Sequence, residues 1–271
     1  RDLHSFPTRR SSDLLSFSDR NSLLTLLLVG NYESVEKLCE DSGINLSEYD
    51  TLLIAERKPN HNDIHNDIPK DAMTAKLRGG LPSGAFLLET NAEREIALIK
   101  SNSLGGSTVN PEKFSFLSGC RFIIVGEHFD PLSLKEFYTR YCNSIEAITK
   151  IFRTKTVFTV EEINFVDRCM RLKKGDSHEK SPYPEKLSPL LDFKHRDTLE
   201  TVATFLLDAD SQVKTTAELL YIHRNTVRHR LREAHEITKL DATALPDSYT
   251  LYVAAALHRI SGIHVDEKHD E

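Results

Sequence analysis

The twenty residues at 213–232 constrain this chain more than any other stretch. They read Val-Lys-Thr-Thr-Ala-Glu-Leu-Leu-Tyr-Ile-His-Arg-Asn-Thr-Val-Arg-His-Arg-Leu-Arg. The pattern predicts two short helices about a tight turn. Ala217 sits where the helices would cross, and its methyl group allows close approach. Leu220 closes the first helix and Ile222 fills the corner. Val227 and Leu231 are four apart, so they share one face of the second helix. With Val227, Leu231 and Ala234 turned inward at about 100° per residue, Asn225, Arg228, His229 and Arg232 point outward. Arg224 and Thr226 lie in the first turn. From Tyr221 to Arg232 there are four Arg and no acid. Guanidinium, amide and imidazole groups on one face suit phosphates and the base edges of the major groove. Such a face is more often merely solvated. The small residue, the corner residue and the inward Val, at their joint spacings, favour double-stranded DNA instead. One position breaks the pattern. The turn residue that needs φ > 0 is usually Gly, and here it is Tyr221. Either the turn has another geometry or the position carries about 1 kcal/mol of strain.

The rest of the chain must fit around that module. At 271 residues, one large or two modest domains are expected. The formal net charge is −6, which excludes a uniformly basic nucleic-acid coat and makes any DNA contact a local patch. Cys39, Cys120, Cys142 and Cys169 show no Cys-x-x-Cys spacing and read as free thiols in a reducing cytoplasm. No apolar run approaches the 18 or so residues of a membrane span.

Residues 1–14, Arg-Asp-Leu-His-Ser-Phe-Pro-Thr-Arg-Arg-Ser-Ser-Asp-Leu, resemble the in-frame translation of a common short-read sequencing adapter. They lack the apolar segment of a targeting peptide. They are expected to be unstructured, with natural N-terminal sequence missing. A helical lead-in follows over 15–48, with Gly43 as a helix C-cap. Residues 49–56, 86–88, 96–99, 122–125 and 156–159 are strand candidates. The pair at 86–88 and 96–99 reads as a hairpin around Asn91-Ala92-Glu93-Arg94. A helix over 71–77 is expected to end at Gly79-Gly80. Leu134, Tyr138, Tyr141, Ile145, Ile148 and Phe152 mark a strongly amphipathic helix, and a further helix covers 161–172. His61 and His65 are four apart, but Asn and Asp surround them, so no metal site is assigned. Gly105-Gly106-Ser107-Thr108 reads as a flexible loop rather than an anion cradle. Residues 173–186 are the linker. In the last domain, over 187–262, Leu199, Val202, Ala203 and Leu206 make one side of a helix apolar. Val253, Leu257 and Ile260 do so for the final helix, with Asp247 as its N-cap. Residues 263–271 form an acidic tail.

The segment His223-Arg224-Asn225-Thr226-Val227-Arg228, then Arg230-Leu231-Arg232 and Ile237-Thr238-Lys239-Leu240-Asp241, closely resembles the C-terminal helix-turn-helix of PucR/CdaR-type bacterial transcription regulators. The likeness covers residues 187–260. It implies a sequence-specific regulator that answers to a metabolite. The order of strands and helices over 49–158 resembles the degenerate GGDEF-like domain of the same family. Active cyclases of that fold carry Gly-Gly-Asp/Glu-Glu-Phe at the hairpin. Here the hairpin reads Asn91-Ala92-Glu93-Arg94, and Gly79-Gly80 is followed by Leu81-Pro82, which cannot ligate metal. The fold expected is therefore α+β, with a degenerate GGDEF-like α/β sandwich over 49–172 followed by an all-α helix-turn-helix domain. No catalytic residue, cofactor or metal is assigned. The expected partners are double-stranded DNA, a second copy of the chain and an unidentified small-molecule effector. Two other readings stay open: a nucleotide cyclase with an appended reader, which GTP and Mg²⁺ would reveal, and a protein-interaction module. Within the DNA reading, Arg228 and Asn225 read bases, Arg224 and Arg232 contact phosphates, and Thr226 and His229 complete the surface.

Overall fold

The computed structural model describes residues 17–57, 70–82, 84–91, 94–100, 120–174 and 182–262. The adapter-like segment, the His61/His65 pair, the Gly105–Thr108 loop, the hairpin residues Ala92 and Glu93, the middle of the linker and the acidic tail lie outside these residues. The described chain is mixed α+β. It forms two compact units, one of Arg1–Arg140 with Thr156–Glu162, the other of Tyr141–Lys155 with Ile163–Glu271.

The first unit opens with α1 (Phe17–Val29) and α2 (Tyr32–Ser42), followed by β1 (Thr51–Arg57), α3 (Lys70–Gly80), β2 (Phe86–Asn91), β3 (Arg94–Ile99), β4 (Cys120–Gly126) and, returning later, β5 (Val157–Thr159). Gly43 caps α2 with φ 63, and its N–H donates to the carbonyls of Cys39 and Glu40. That cap is the one the sequence predicts. The sheet order is β2-β3-β1-β4-β5. β1 runs antiparallel to both neighbours, with Leu53 opposite Ala97 on one side and Val125 on the other. A strand with two strand neighbours and both faces covered must be apolar along its length. Accordingly Leu52, Leu53, Ile54 and Ala55 are all buried. Leu77 of α3 joins Leu53, Ala55, Ala97, Ile99 and Val125 in one cluster. The buried carboxylate of Glu56 faces Arg94 across the β1–β3 pair, 2.7 Å from its Nε, and Arg121 Nη1 at 3.5 Å. This answers its charge at the sheet end.

The amphipathic helix predicted over 134–152 is α4 (Leu134–Ile151), with Leu134, Phe137, Tyr141, Ser144, Ile148 and Ile151 buried at steps of three and four. The second unit continues with α5 (Val160–Lys174), α6 (Tyr183–Leu187), α7 (Arg196–Leu207), α8 (Val213–Leu219), α9 (Arg224–Thr238) and α10 (Asp247–Ser261). α7 is the centre of the helical module and packs against α8, α9 and α10. The sequence pattern predicts one apolar side for it. Instead Thr198, Leu199 and every residue from Thr201 to Leu207 are buried. Threonines extend the burial because their hydroxyls find acceptors, as Thr201 Oγ1 does on the Asp197 carbonyl at 2.7 Å.

The N-cap expectation for α10 also needs correction. Pro246 holds the cap position and Asp247 is the first helical residue. The Asp247 carboxylate accepts a 3.0 Å hydrogen bond from the Asp241 N–H instead, which ties down the preceding loop. Pro246 has no N–H to leave unsatisfied, so it suits a helix start. None of the four cysteines is in a disulfide. Among the described residues, no helix is long and apolar enough to cross a membrane, and no cluster of His, Cys, Asp and Glu could hold a metal ion.

Candidate nucleic-acid interface

The α8–turn–α9 unit is built as its sequence requires. Ala217 is buried at the crossing, and Val227, Leu231 and Ala234 form the inward face of α9. Leu220 is the C-cap of α8, and the next two residues lock the turn. The Ile222 N–H donates to the Ala217 carbonyl at 3.0 Å, and the Tyr221 N–H to the Glu218 carbonyl at 3.3 Å. This pair of bonds is a Schellman motif, whose pivot residue takes the left-handed conformation. Tyr221 is that pivot, with φ 54. The choice left open by the sequence is therefore decided. The turn keeps the geometry that usually calls for Gly, and Tyr221 carries a cost of about 1 kcal/mol.

α9 starts at an unforeseen cap. The Nδ1 of His223 accepts a 3.2 Å hydrogen bond from the Asn225 N–H. An Nδ1 that accepts in this way carries no proton of its own. His is not among the usual N-cap residues, so composition gave no signal for it. Arg224, Asn225, Arg228, His229 and Arg232 are exposed, and Thr226 is half-buried in the first turn. Three of them are linked: Arg228 Nη1 donates to Asn225 Oδ1 at 3.2 Å, and Arg232 Nε to the Arg228 carbonyl at 3.4 Å. Among the described residues, no carboxylate pairs with Arg224, Arg228 or Arg232, so their charge faces solvent. At about 100° per residue, Arg224, Arg228 and Arg232 share a stripe with His235 and Lys239. Both of these are also exposed, and they extend the stripe beyond the residues that the sequence pattern singles out.

Arg230 behaves differently. Its Nη2 pairs with Asp197 Oδ2, and its Nη1 donates to Thr201 Oγ1 at 3.3 Å, both on α7. It is a packing residue. Its neighbour Glu233 accepts a 2.7 Å hydrogen bond from Thr198 and lies 3.2 Å from His195 Nδ1. The Thr198 hydroxyl holds the Glu233 carboxyl below its ordinary value, with His195 adding to the effect. Both side chains tie α9 to the helix beneath it, which draws Glu233 away from the outer stripe and leaves Glu236, exposed one turn after Arg232, as the acid of α9 nearest to it. Beside that stripe runs a groove of about 570 Å³, lined by Val213, Leu231 and Thr243 together with Arg228, Arg232 and His235. Asp241 lines it too, but its carboxylate is engaged by the Thr243 N–H at 2.8 Å and the Thr243 hydroxyl at 2.6 Å. The Thr243 hydroxyl is the main reason its pKa is lowered, so its charge is answered within the loop.

Comparison with known proteins matches residues 198–257 to the PucR C-terminal helix-turn-helix domain. The chain is 31% identical over 115 residues to the uncharacterized protein YsfB of Bacillus subtilis (strain 168), covering 42% of this chain and 30% of that protein. It is 28% identical over 112 residues to the DNA-binding transcriptional activator AdeR of the same organism, covering 40% of this chain and 26% of that one. The chain thus spans less than a third of the length of these relatives. Among solved structures, a Regulator of Polyketide Synthase Expression from Bifidobacterium adolescentis aligns over 93% of this chain and 98% of its own, with TM-score 0.39 and 15% identity.

Proposed function

Starting from the PucR-type helix-turn-helix domain at residues 198–257, we propose that this chain is a sequence-specific DNA-binding transcription regulator of the bacterial cytoplasm. The observation that carries the reading is the outer stripe of α9, where Arg224, Arg228 and Arg232 stand exposed with no carboxylate partner among the described residues. α9 enters the major groove with its N-terminal half. Arg228 and Asn225 read base edges, because Arg matches guanine and Asn matches adenine, each good pair giving about 1–3 kcal/mol of discrimination. Their mutual 3.2 Å hydrogen bond orients both side chains before DNA arrives. Arg224 and Arg232 contact phosphates, and Thr226 and His229 complete the surface. A single helix reads few base pairs, so the protein binds as a dimer on half-sites about 34 Å apart. The sheet unit is a GGDEF-like module that has lost catalysis and answers to a small-molecule effector. Its sheet order, with a hairpin β2–β3 beside a central β1, supports that assignment. Incubation with GTP and Mg²⁺ should give no cyclic dinucleotide.

The test is binding of variants to a randomised duplex pool at two salt concentrations. Arg228→Ala should flatten sequence preference at one or two base pairs and leave nonspecific binding mostly intact. Arg232→Ala should weaken all sequences alike and lower the salt slope by about one unit. Val227→Asp, at a fully buried position, should unfold the module by burying an unpaired charge and serves as the structural control. If Arg228→Ala and Arg232→Ala both fold and bind as wild type does, the groove assignment is wrong.

A further inference from the structure

We infer that Tyr221 is a DNA-backbone contact, its ring lying against a sugar and its hydroxyl donating to a phosphate beside the groove that α9 occupies. The inference rests on the DNA-binding reading and extends it to a residue outside the recognition helix.

The first observation is a contradiction within the fold. Tyr221 is the pivot of the turn after α8, at φ 54. A bulky side chain there is a genuine outlier, whereas Asn, Asp and His visit the region more readily. Asp210, Ser211 and His128 are small or polar residues of that kind, and Lys239 is the left-handed cap of α9. Among the described residues at positive φ, Tyr221 alone carries a phenol ring. A strained position persists when packing compensates for it, yet this side chain is 95% exposed. Folding by itself would be better served by Gly. A rule broken locally without compensation inside the fold points to a role outside it.

The second observation is position. Tyr221 lies three residues before Arg224, the first residue of α9. Three residues span at most about 10 Å of chain, close to the ~12 Å width of the major groove. With the N-terminal half of α9 in the groove, a side chain at that offset meets the groove's edge, where the sugars and phosphates are. The chemistry agrees. A phenol presents an apolar body and one neutral hydroxyl donor. It can contact the backbone without adding charge to the stripe of Arg224, Arg228 and Arg232.

A neutral contact has a signature distinct from that of the arginines. It releases no counterion of its own, so its loss should weaken binding without changing the salt slope. The experiment measures binding of the full chain to random-sequence duplex at several salt concentrations, and thermal unfolding of the same variants. Tyr221→Phe removes only the hydroxyl. Tyr221→Asn and Tyr221→Gly both accept the left-handed conformation, and Asn does so without the added flexibility of Gly. Tyr221→Phe should bind roughly tenfold more weakly with an unchanged slope, as expected for one hydrogen bond to a charged group. Asn and Gly should bind more weakly still, yet unfold roughly 2–4 °C higher as the strain is relieved. If wild type and Arg232→Ala bind as proposed but all three Tyr221 variants match wild type, the Tyr221 contact is overturned and the DNA reading stands. If Asn and Gly lower the unfolding temperature, Tyr221 serves the fold and the inference fails. If wild type binds no duplex, the DNA reading falls, and Tyr221 with it.

Discussion

Arg259 offers the sharpest test of how the helical unit is held together. Its side chain is 1% exposed, and that of Asp208, whose Oδ2 lies 2.7 Å from Arg259 Nη1, is 2% exposed. The same Nη1 donates to the Ile151 carbonyl. Glu200 lies farther off, at 3.7 Å from Nη2. The second oxygen of Asp208 accepts the Arg153 N–H at 2.7 Å. Burial pulls the Arg259 pKa down and Asp208 pushes it back up, so desolvation is the larger effect and the carboxylate is what offsets it. Replacing Arg259 by Met removes the cation but leaves Asp208 in its dry site with one backbone donor. Breaking a buried pair this way costs about 3–5 kcal/mol, which is not the net worth of the pair but the penalty of the charge left behind. Asp208→Asn keeps an oxygen for the Arg153 N–H and takes the charge away. The double variant Arg259→Met/Asp208→Asn should therefore be more stable than the two single losses would sum to, by about 2 kcal/mol. The chain has no Trp, so urea unfolding followed by far-UV circular dichroism is the suitable assay. A loss below about 1 kcal/mol for Arg259→Met, or strict additivity in the cycle, would refute the reasoning.

Three further outcomes follow from the same physics. Arg230→Ala should lower stability by about 1 kcal/mol, since the pair with Asp197 is partly exposed, while the salt slope of DNA binding stays at the wild-type value; a changed slope would return Arg230 to the DNA face. Burial raises the Cys120 thiol to about 11 and the Cys169 thiol to about 12, so neither should be alkylated near pH 8 until the chain unfolds, as mass spectrometry with and without denaturant can show. Glu233 has a depressed pKa, chiefly through the Thr198 hydroxyl. Its stabilising share is present above the ordinary carboxyl value of 4.5 and is lost as pH falls through the lower folded value. Glu233→Gln should flatten the acid limb of the stability profile, and an unchanged limb would count against the hydrogen bond.

The elements that periodicity could reveal are those whose burial is one-sided or complete. α4 repeats buried residues at three and four, and β1 carries the unbroken apolar run Leu52 to Ala55, so each announced itself. α7 was only half legible. Its threonines look polar in sequence, yet Thr198, Thr201 and Thr204 are buried because each hydroxyl has an acceptor, one turn back on α7 for Thr201 and Thr204 and on α9 for Thr198. No pattern of hydrophobicity can anticipate a hydroxyl satisfied in this way. The start of α10 was misread for a related reason. An Asp before a helix is a good N-cap, but the carboxylate of Asp247 was already claimed by the Asp241 N–H.

The arginines of α9 show where reading a helix as a wheel stops being enough. Arg228, Arg230 and Arg232 alternate in sequence and have the same chemistry. At about 100° per residue, Arg228 and Arg232 fall on the outer arc, while Arg224 beside Leu231 and Arg230 beside Ala234 flank the two margins of the buried face. Such a margin is ambiguous, because a long side chain there can reach outward to solvent or back along the neighbouring helix. What decides is a residue on another element. Asp197 and Thr201, one turn apart on α7, present a carboxylate and a hydroxyl to the guanidinium, and so Arg230 is turned inward. The sequence places those partners some thirty positions upstream, with nothing in the spacing to join them to α9. The consequence reaches the DNA surface itself. Arg230 spends its charge on α7, Glu233 is held by Thr198 and His195, and the acid nearest the groove, Asp241, is held by Thr243. The contacts of Glu233 and Asp241 answer negative charge that would otherwise compete at the stripe, whereas Arg230 withdraws a cation that would have added to it. The positive face of α9 is thus a product of the packing beneath it as much as of its own residues. Thr198→Val would test that dependence. It leaves the stripe intact but frees Glu233 from its main hydrogen bond, and it should weaken binding to random duplex more at low salt than at high salt. Equal weakening at both would mean that the underlying contacts only hold the helix in place.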